Sequence, residues 1–104
     1  MDAPQETKVA LVTGGNRGYG FCVCRRLREQ GFAVILASRS LEKGQKAALK
    51  FEGDGPPVFV IRLDLADENS IRIAANQIQD EFGRLDVLVN NAGNQFLYCN
   101  VFPD

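Results

Sequence analysis

Four short apolar runs constrain the fold of this 104-residue sequence more than any other feature. The runs are Lys8–Thr13, Phe32–Ser38, Val58–Leu63 and Asp86–Asn90, so that one begins every 24 to 28 residues. Nearly continuous apolar runs of this length are typical of parallel strands that are covered on both faces. Consecutive parallel strands need a long crossover, and the intervals are long enough to hold one helix each.

The intervals between the runs carry helical patterns. In the first, Val23, Cys24 and Leu27 form one apolar stripe, and Gly31 is a natural terminator. Ser40 can cap the second helix, and the third begins near acidic residues and ends at a glycine. The residues predicted to face inward are Leu41, Ala48 and Phe51 in the second helix and Ile71, Ala74, Ala75, Ile78 and Phe82 in the third.

Four strands that alternate with three helices predict an α/β fold, a Rossmann-like parallel sheet with helices on both faces and right-handed crossovers. The set is incomplete relative to the full doubly wound fold, which is built from two such halves. We expect residues 1–104 to form a single domain, with residues 94–104 as an irregular tail. The fourth strand then lacks an outer neighbour, and its exposed edge is a candidate surface for association with another chain.

Composition excludes several classes of function. Acidic and basic residues are mixed along the chain with a formal net charge of −1, which argues against nucleic-acid binding. No apolar run approaches the roughly 18 residues that span a bilayer. The absence of histidine removes Ser-His-Asp and Cys-His catalysis and most zinc sites, and we expect no metal. Three cysteines cannot all pair within one chain, so free thiols and a cytoplasmic location are expected.

Three glycines lie between the first strand and the first helix, in the pattern Thr13-Gly14-x-x-x-Gly18-x-Gly20. A helix N-terminus at this point offers unpaired N–H groups and a positive dipole end to a phosphate. Glycines let the phosphate approach the main chain and supply positive φ without a steric penalty. The spacing is not the common G-x-G-x-x-G, and glycines also serve as plain turn residues. The strand–turn–helix context favours phosphate binding.

Three motifs together resemble the short-chain dehydrogenase/reductase family, and most of all its carbonyl reductase branch. They are TGGNRGYG at residues 13–20, LDL at residues 63–65 and NNAG at residues 90–93, each directly after a predicted strand. The resemblance covers residues 8 to about 93. It implies binding of a nicotinamide dinucleotide.

The resemblance also implies which residues contact that cofactor. Gly14, Gly18 and Gly20 would form the turn around the pyrophosphate. Asp64 would accept a hydrogen bond from the adenine amino group, with Leu65 beside the ring. The other implied residues are Gly15 and Asn16, which would line the turn, and Asn90, Asn91, Ala92 and Gly93, which would line the adenosine ribose, with Thr13 as a hydrogen-bond partner.

Some of these residues have other possible roles. Asp64 alone could be a helix-capping carboxylate and Asn90 a turn former, although their occurrence together with the glycines favours cofactor contact. Tyr19 departs from the family pattern, which has a branched aliphatic residue at that position. This tyrosine either alters the seating of the nicotinamide end or lies at the surface.

Two arginines bear on the choice between NAD(H) and NADP(H). In dinucleotide folds an acid about 20 residues beyond the glycines binds the ribose hydroxyls. That count from Gly18 leads to Ser38, where no carboxylate stands, and Arg39 follows at once. Arg17 lies within the glycine loop, so two guanidinium groups could bind a 2′-phosphate and favour NADP(H). The alternative is that both arginines are solvated surface residues.

No catalytic residue is identified. The family's chemistry requires a tyrosine with a lysine four residues later and an upstream serine, but Tyr19 is followed at that distance by Val23 and Tyr98 by Phe102. Two functions remain open. The chain is the cofactor-binding half of an NADP-dependent carbonyl reductase-like oxidoreductase, which acts on a small carbonyl compound only if a catalytic half is present. Alternatively, it is a truncated, non-catalytic nucleotide-binding or interaction module.

Overall fold

The predicted strands form the sheet at the centre of the molecule. A computed structural model describes residues 7–51, 53, 55–91 and 98–101. The strands are β1 (Val9–Thr13), β2 (Ala33–Ser38), β3 (Val58–Arg62), β4 (Val87–Asn90) and β5 (Tyr98–Val101), and the helices are α1 (Gly18–Glu29), α2 (Leu41–Ala48) and α3 (Glu68–Glu81). The sheet order is β3-β2-β1-β4-β5, with β1 to β4 parallel. No helix in the described ranges has the length and hydropathy to cross a bilayer.

Two apolar clusters, one on each face of the sheet, explain why the strands are continuously apolar. Ala10 and Val12 of β1 pack into one cluster with Cys24 of α1, whereas Val9 and Leu11 pack into the other. Alternate residues of a strand point to opposite faces, so a strand covered on both sides needs no polar position. Burial raises the pKa of the Cys24 thiol to about 12, and this side chain serves as a neutral core residue.

The helix boundaries follow the predicted caps. The Ser40 hydroxyl accepts a hydrogen bond from the Lys43 N–H at 3.2 Å, and the Asp67 carboxylate accepts one from the Asn69 N–H at 3.0 Å. Gly31 follows Gln30, the C-cap residue of α1, and has a φ of +93°. This left-handed conformation is the usual glycine-dependent end of a helix.

The apolar stripes predicted to face inward on α2 and α3 include residues that are exposed in the structure. Ala74 is buried and Ile78 packs against the core, but Ile71 is 39% exposed and Ala75 is also exposed. Leu41 of α2 is 43% exposed. Within the described ranges α3 is the one helix that packs on its face of the sheet, so the residues on its flanks have no second helix to cover them.

The prediction of an irregular tail is wrong for Tyr98–Val101. These residues form β5, which pairs antiparallel with β4, so the edge of the fourth strand is occupied rather than exposed. The main-chain groups along the outer side of β4 need partners, and an extended segment of almost any sequence can supply them. Four residues of mixed polarity give no apolar run, which is why the sequence pattern did not indicate this strand. Residues 94–97 and 102–104 lie outside the described ranges.

One carboxylate fixes the amino end of β4 against β1. The Asp86 carboxylate accepts hydrogen bonds from the Val9 N–H at 2.8 Å and from Arg84 at 2.9 and 2.6 Å. The Asp86 N–H in turn donates to the Val9 carbonyl at 2.9 Å. The hydrogen bond from Arg84 holds the pKa of Asp86 below its usual range.

This contact predicts a pH-dependent contribution to stability. Asp86→Asn is expected to lower the free energy of unfolding by about 1–2 kcal/mol near neutral pH, because hydrogen bonds to a charged acceptor are weakened while Arg84 stays partly solvated. The folded-state pKa lies below the unfolded value of about 3.9. The charge therefore stabilises the fold above that value and ceases to do so as the pH falls through the folded-state pKa.

Urea unfolding of both proteins between pH 7 and pH 3 measures this difference. The gap between them should shrink below about pH 4. Asp80→Asn, which alters an exposed carboxylate near the end of α3, is the control and should show no such gap. A constant gap over the whole range would show that the ionised carboxylate is not responsible.

Candidate functional site

The predicted site residues meet at one edge of the sheet because the parallel strands β1 to β4 end there. Thr13 and Ser38 are the last residues of β1 and β2, Asn90 is the last residue of β4, and Asp64 stands two residues beyond β3. Ligands of open α/β sheets bind outside the carboxyl ends of the strands. The structure therefore brings the three motifs together, except for Ala92 and Gly93, which lie outside the described ranges.

The glycine turn depends on a close approach of α1 to the end of β1. A Cβ atom at Gly20 would overlap the Gly14 carbonyl oxygen and lie 2.7 Å from the Asn91 amide nitrogen. Gly14 and Gly18 have φ angles of +63° and +61°, in the left-handed region that L side chains rarely adopt. The turn thus requires glycine for two different reasons, which are close contact at Gly20 and backbone conformation at Gly14 and Gly18.

Gly15 is buried in the glycine turn, and its contact with a cofactor stays a prediction. Its N–H donates to the Ala37 carbonyl at 3.0 Å, and a Cβ atom there would lie 3.0 Å from Cys24 Sγ and 3.0 Å from Leu36 Cγ. Gly15 therefore faces the core and fastens the turn to β2, and its N–H is not a donor for a phosphate. Asn16, beside it, is half-buried within the turn.

The first turn of α1 lacks the side-chain cap that the other helices have. Arg17 is the N-cap residue with an extended backbone, its side chain makes no capping hydrogen bond, and the first turn contains no acid. Ser40 and Asp67 cap α2 and α3 with their own oxygens, and an acid follows each of them. The N–H groups at the start of α1 have no intrahelical acceptors, and with the helix dipole they attract an anion.

A hydroxyl ties β4 to the glycine turn. Thr13 Oγ1 accepts a hydrogen bond from the Asn91 N–H at 2.8 Å and lies 3.2 Å from Asn90 Oδ1. The Asn91 side-chain amide donates to the Gly14 carbonyl at 3.4 Å. Contact between Thr13 and the NNAG motif is thereby confirmed, whereas contact of Asn90 and Asn91 with a ribose stays a prediction.

The end of β2 presents a cation and no carboxylate. Ser38 is buried, and its hydroxyl accepts a hydrogen bond from the Ser40 N–H at 3.2 Å, so Ser38 shapes the turn from within. Arg39 follows it and is exposed, as is Arg17 in the glycine turn of the adjacent strand. Tyr19 is 74% exposed in the first turn of α1. Two exposed arginines therefore follow the carboxyl ends of β1 and β2.

Asp64 is a turn former and not a helix cap. Its carboxylate accepts a hydrogen bond from the Ala66 N–H at 3.0 Å, and the cap of α3 is Asp67. The Ser70 hydroxyl contacts the main chain of Asp64 twice. It accepts a hydrogen bond from the Asp64 N–H at 2.9 Å and donates one to the Asp64 carbonyl at 2.8 Å. Leu65 is 47% exposed beside it. No sequence motif points to Ser70 or to Arg62, whose guanidinium lies 3.6 Å from Asp67 and 4.0 Å from Asp64.

Comparison with known proteins agrees with this geometry. The family model described as short chain dehydrogenase matches residues 8–100, and the chain belongs to that family. Carbonyl reductase (NADPH) 1 of Sus scrofa is 42% identical over 99 residues, a match that covers 93% of this chain and 34% of the relative. The predicted resemblance to the carbonyl reductase branch is confirmed.

Solved structures share the fold over the same region. Menthone neomenthol reductase from Mentha piperita superposes with a TM-score of 0.80 at 41% identity, covering 86% of this chain and 32% of that protein. A metagenomic short-chain oxidoreductase in complex with NADP gives a TM-score of 0.76 at 36% identity, covering 84% and 39%. The chain thus spans about a third of the length of the relatives it matches.

The two reasons for glycine in the turn predict different costs of substitution. Gly18→Ala is expected to lower the free energy of unfolding by about 1–2 kcal/mol, because the space around it is open and the cost is conformational. Gly20→Ala is expected to cost about 3 kcal/mol or more, since the methyl group collides with main-chain atoms that cannot give way. Chemical unfolding of the two variants gives the comparison. Equal losses, or a smaller loss at Gly20, would contradict the close approach of α1 to Gly14.

Proposed function

We propose that this chain binds NADP(H) as the cofactor-binding part of a carbonyl reductase-like oxidoreductase. The observation that carries the proposal is the first turn of α1, which has no side-chain cap. The absence of a Cβ atom at Gly20 lets this turn lie against Gly14, at the carboxyl ends of the parallel strands (the ligand edge of the sheet). Such a turn suits a pyrophosphate, because the two anionic phosphate groups bind best where main-chain N–H groups can approach them closely.

The remaining residues of the edge fit the other parts of the cofactor. The N–H groups of Gly18, Tyr19 and Gly20 would hold the pyrophosphate. Asp64 would accept from the adenine amino group, with Leu65 against the ring, and Asn90 would meet the adenosine ribose. When bound, the cofactor supplies the hydride for carbonyl reduction, and these residues bind and orient it.

Charge at the end of β2 supports NADP(H) over NAD(H). The dinucleotide acid that would repel a 2′-phosphate is replaced by Ser38, whose hydroxyl is engaged within the turn. Arg39 and Arg17 are exposed at the ends of neighbouring strands and can donate charge-assisted hydrogen bonds to a phosphate dianion. A solved relative is described in complex with NADP, and the Sus scrofa relative carries NADPH in its name.

Carbonyl reduction itself needs residues that the 104-residue sequence does not contain. Neither Tyr19 nor Tyr98 has a lysine four residues later, and all three serines precede β4. This observation keeps the second candidate in view, a nucleotide-binding or interaction module without catalysis. Binding of NADP(H) by this chain is common to the oxidoreductase and to a nucleotide-binding module.

Removal of one arginine tests the cofactor preference. Arg39→Ala is expected to weaken NADP(H) binding by about 1.5–3 kcal/mol, the usual worth of a hydrogen bond to a charged group, with little effect on NAD(H). Arg17→Ala should behave in the same way. Calorimetric titration of both cofactors measures the difference.

The matched control for these arginines is Arg25→Ala, which removes an exposed arginine from the body of α1. It should leave the ratio of the two affinities unchanged. Equal affinity of the unchanged protein for NADP(H) and NAD(H), or equal losses for both cofactors in Arg39→Ala, would refute the assignment of the 2′-phosphate site.

A second experiment concerns catalysis. The homogeneous 104-residue chain is expected not to oxidise NADPH in the presence of a quinone or an aldehyde, because no proton donor stands where the family places it. NADPH absorbance measured with and without the protein gives the result. Turnover above the protein-free control would show that the proton comes from a group outside the family's pattern.

A further inference from the structure

Arg62 is the one arginine at the ligand edge that pairs with a residue of the candidate adenine site, among the residues that the structure describes. It is the last residue of β3 and lies opposite Ser38 of β2. Its guanidinium nitrogens are 4.0 Å from Asp64 Oδ2 and 3.6 Å from Asp67 Oδ2. The arginine thus stands between the turn that carries Asp64 and Asp67, the N-cap residue of α3.

The two oxygens of Asp64 have different surroundings. Oδ1 accepts the Ala66 N–H at 3.0 Å, which closes the turn after β3. Oδ2 is the oxygen near Arg62, and the Asp64 side chain keeps 28% exposure, so this oxygen can also meet a ligand. Oδ1 already accepts one hydrogen bond from the main chain, so Oδ2 keeps more of its acceptor capacity for a donor from outside.

We infer that Arg62 is a positioning residue for base recognition, which directs Asp64 Oδ2 toward the amino group of the adenine. This inference rests on the proposed function, since it concerns the same cofactor site. The Arg62 guanidinium lies between the Asp64 and Asp67 carboxylates, so its charge attracts Asp64 Oδ2 while Asp67 attracts the guanidinium. The pair is partly solvated, with Arg62 47% exposed, so its effect is on orientation and is modest in size.

Base discrimination tests this role directly. Hypoxanthine has a carbonyl oxygen where adenine has its amino group, and a carboxylate accepts no hydrogen bond from that oxygen. The measurement is the affinity for NADPH divided by that for its hypoxanthine analogue, determined by titration on each protein. Because both affinities come from the same protein, any loss of folded fraction cancels in the ratio.

The unchanged protein is expected to favour NADPH, and Arg62→Gln should reduce that preference about two- to five-fold, the range of a partly exposed ion pair. Arg62→Lys keeps the cation and should retain part of the preference. The control is Arg84→Gln, which also removes an arginine two residues before a paired aspartate, but at the opposite edge of the sheet. It should leave the ratio unchanged.

The outcomes separate this inference from the proposed function. A preference for NADPH that is unaltered in Arg62→Gln would overturn the role of Arg62 and leave NADP(H) binding intact. A preference unaltered in Asp64→Ala would overturn it as well, because Asp64 would then not read the base. Failure of the unchanged protein to bind either cofactor would refute the proposed function and this inference together.

Discussion

The contact between Gly20 and the Gly14 carbonyl oxygen is the constraint on which the site depends. It leaves no room for a Cβ atom, and it presses the start of α1 against the end of β1. The uncapped N–H groups of that turn then lie at the edge where all four parallel strands end. Thr13 connects the end of β4 to the same place, because its hydroxyl accepts a hydrogen bond from the Asn91 N–H at 2.8 Å. Main-chain N–H groups of the kind that bind a pyrophosphate are therefore gathered at this one place.

The parallel core could be read from the sequence because burial on both faces demands continuous apolar runs. The predicted runs and the strands β1 to β4 differ by no more than one residue at either end. β5 could not be predicted, since its formation depends on the unpaired main chain of β4 and not on its own pattern. The exposure of Ile71 and Ala75 likewise depends on which neighbours α3 has, which periodicity does not report.

The candidate site divides in a similar way. The glycines, Ser38 and Arg39 can be recognised from short stretches of sequence, and the resemblance to a family assigned each a part in cofactor binding. The inward-facing role of Gly15 appears only when Cys24 and Leu36 are seen on either side of it. Ser70 contacts the main chain of Asp64 from six residues along the chain. Such a contact needs the turn that joins β3 to α3, and no spacing rule predicts it.

The central claim is that the first turn of α1 binds the cofactor's pyrophosphate through its main chain. Titration of the ¹⁵N-labelled protein with NADPH, followed by amide chemical shifts, tests it most directly. The account predicts the largest changes at Gly18, Tyr19 and Gly20 and none at Val9 and Asp86, which lie at the opposite edge of the sheet. Binding that leaves the amides of the α1 first turn unchanged would contradict it.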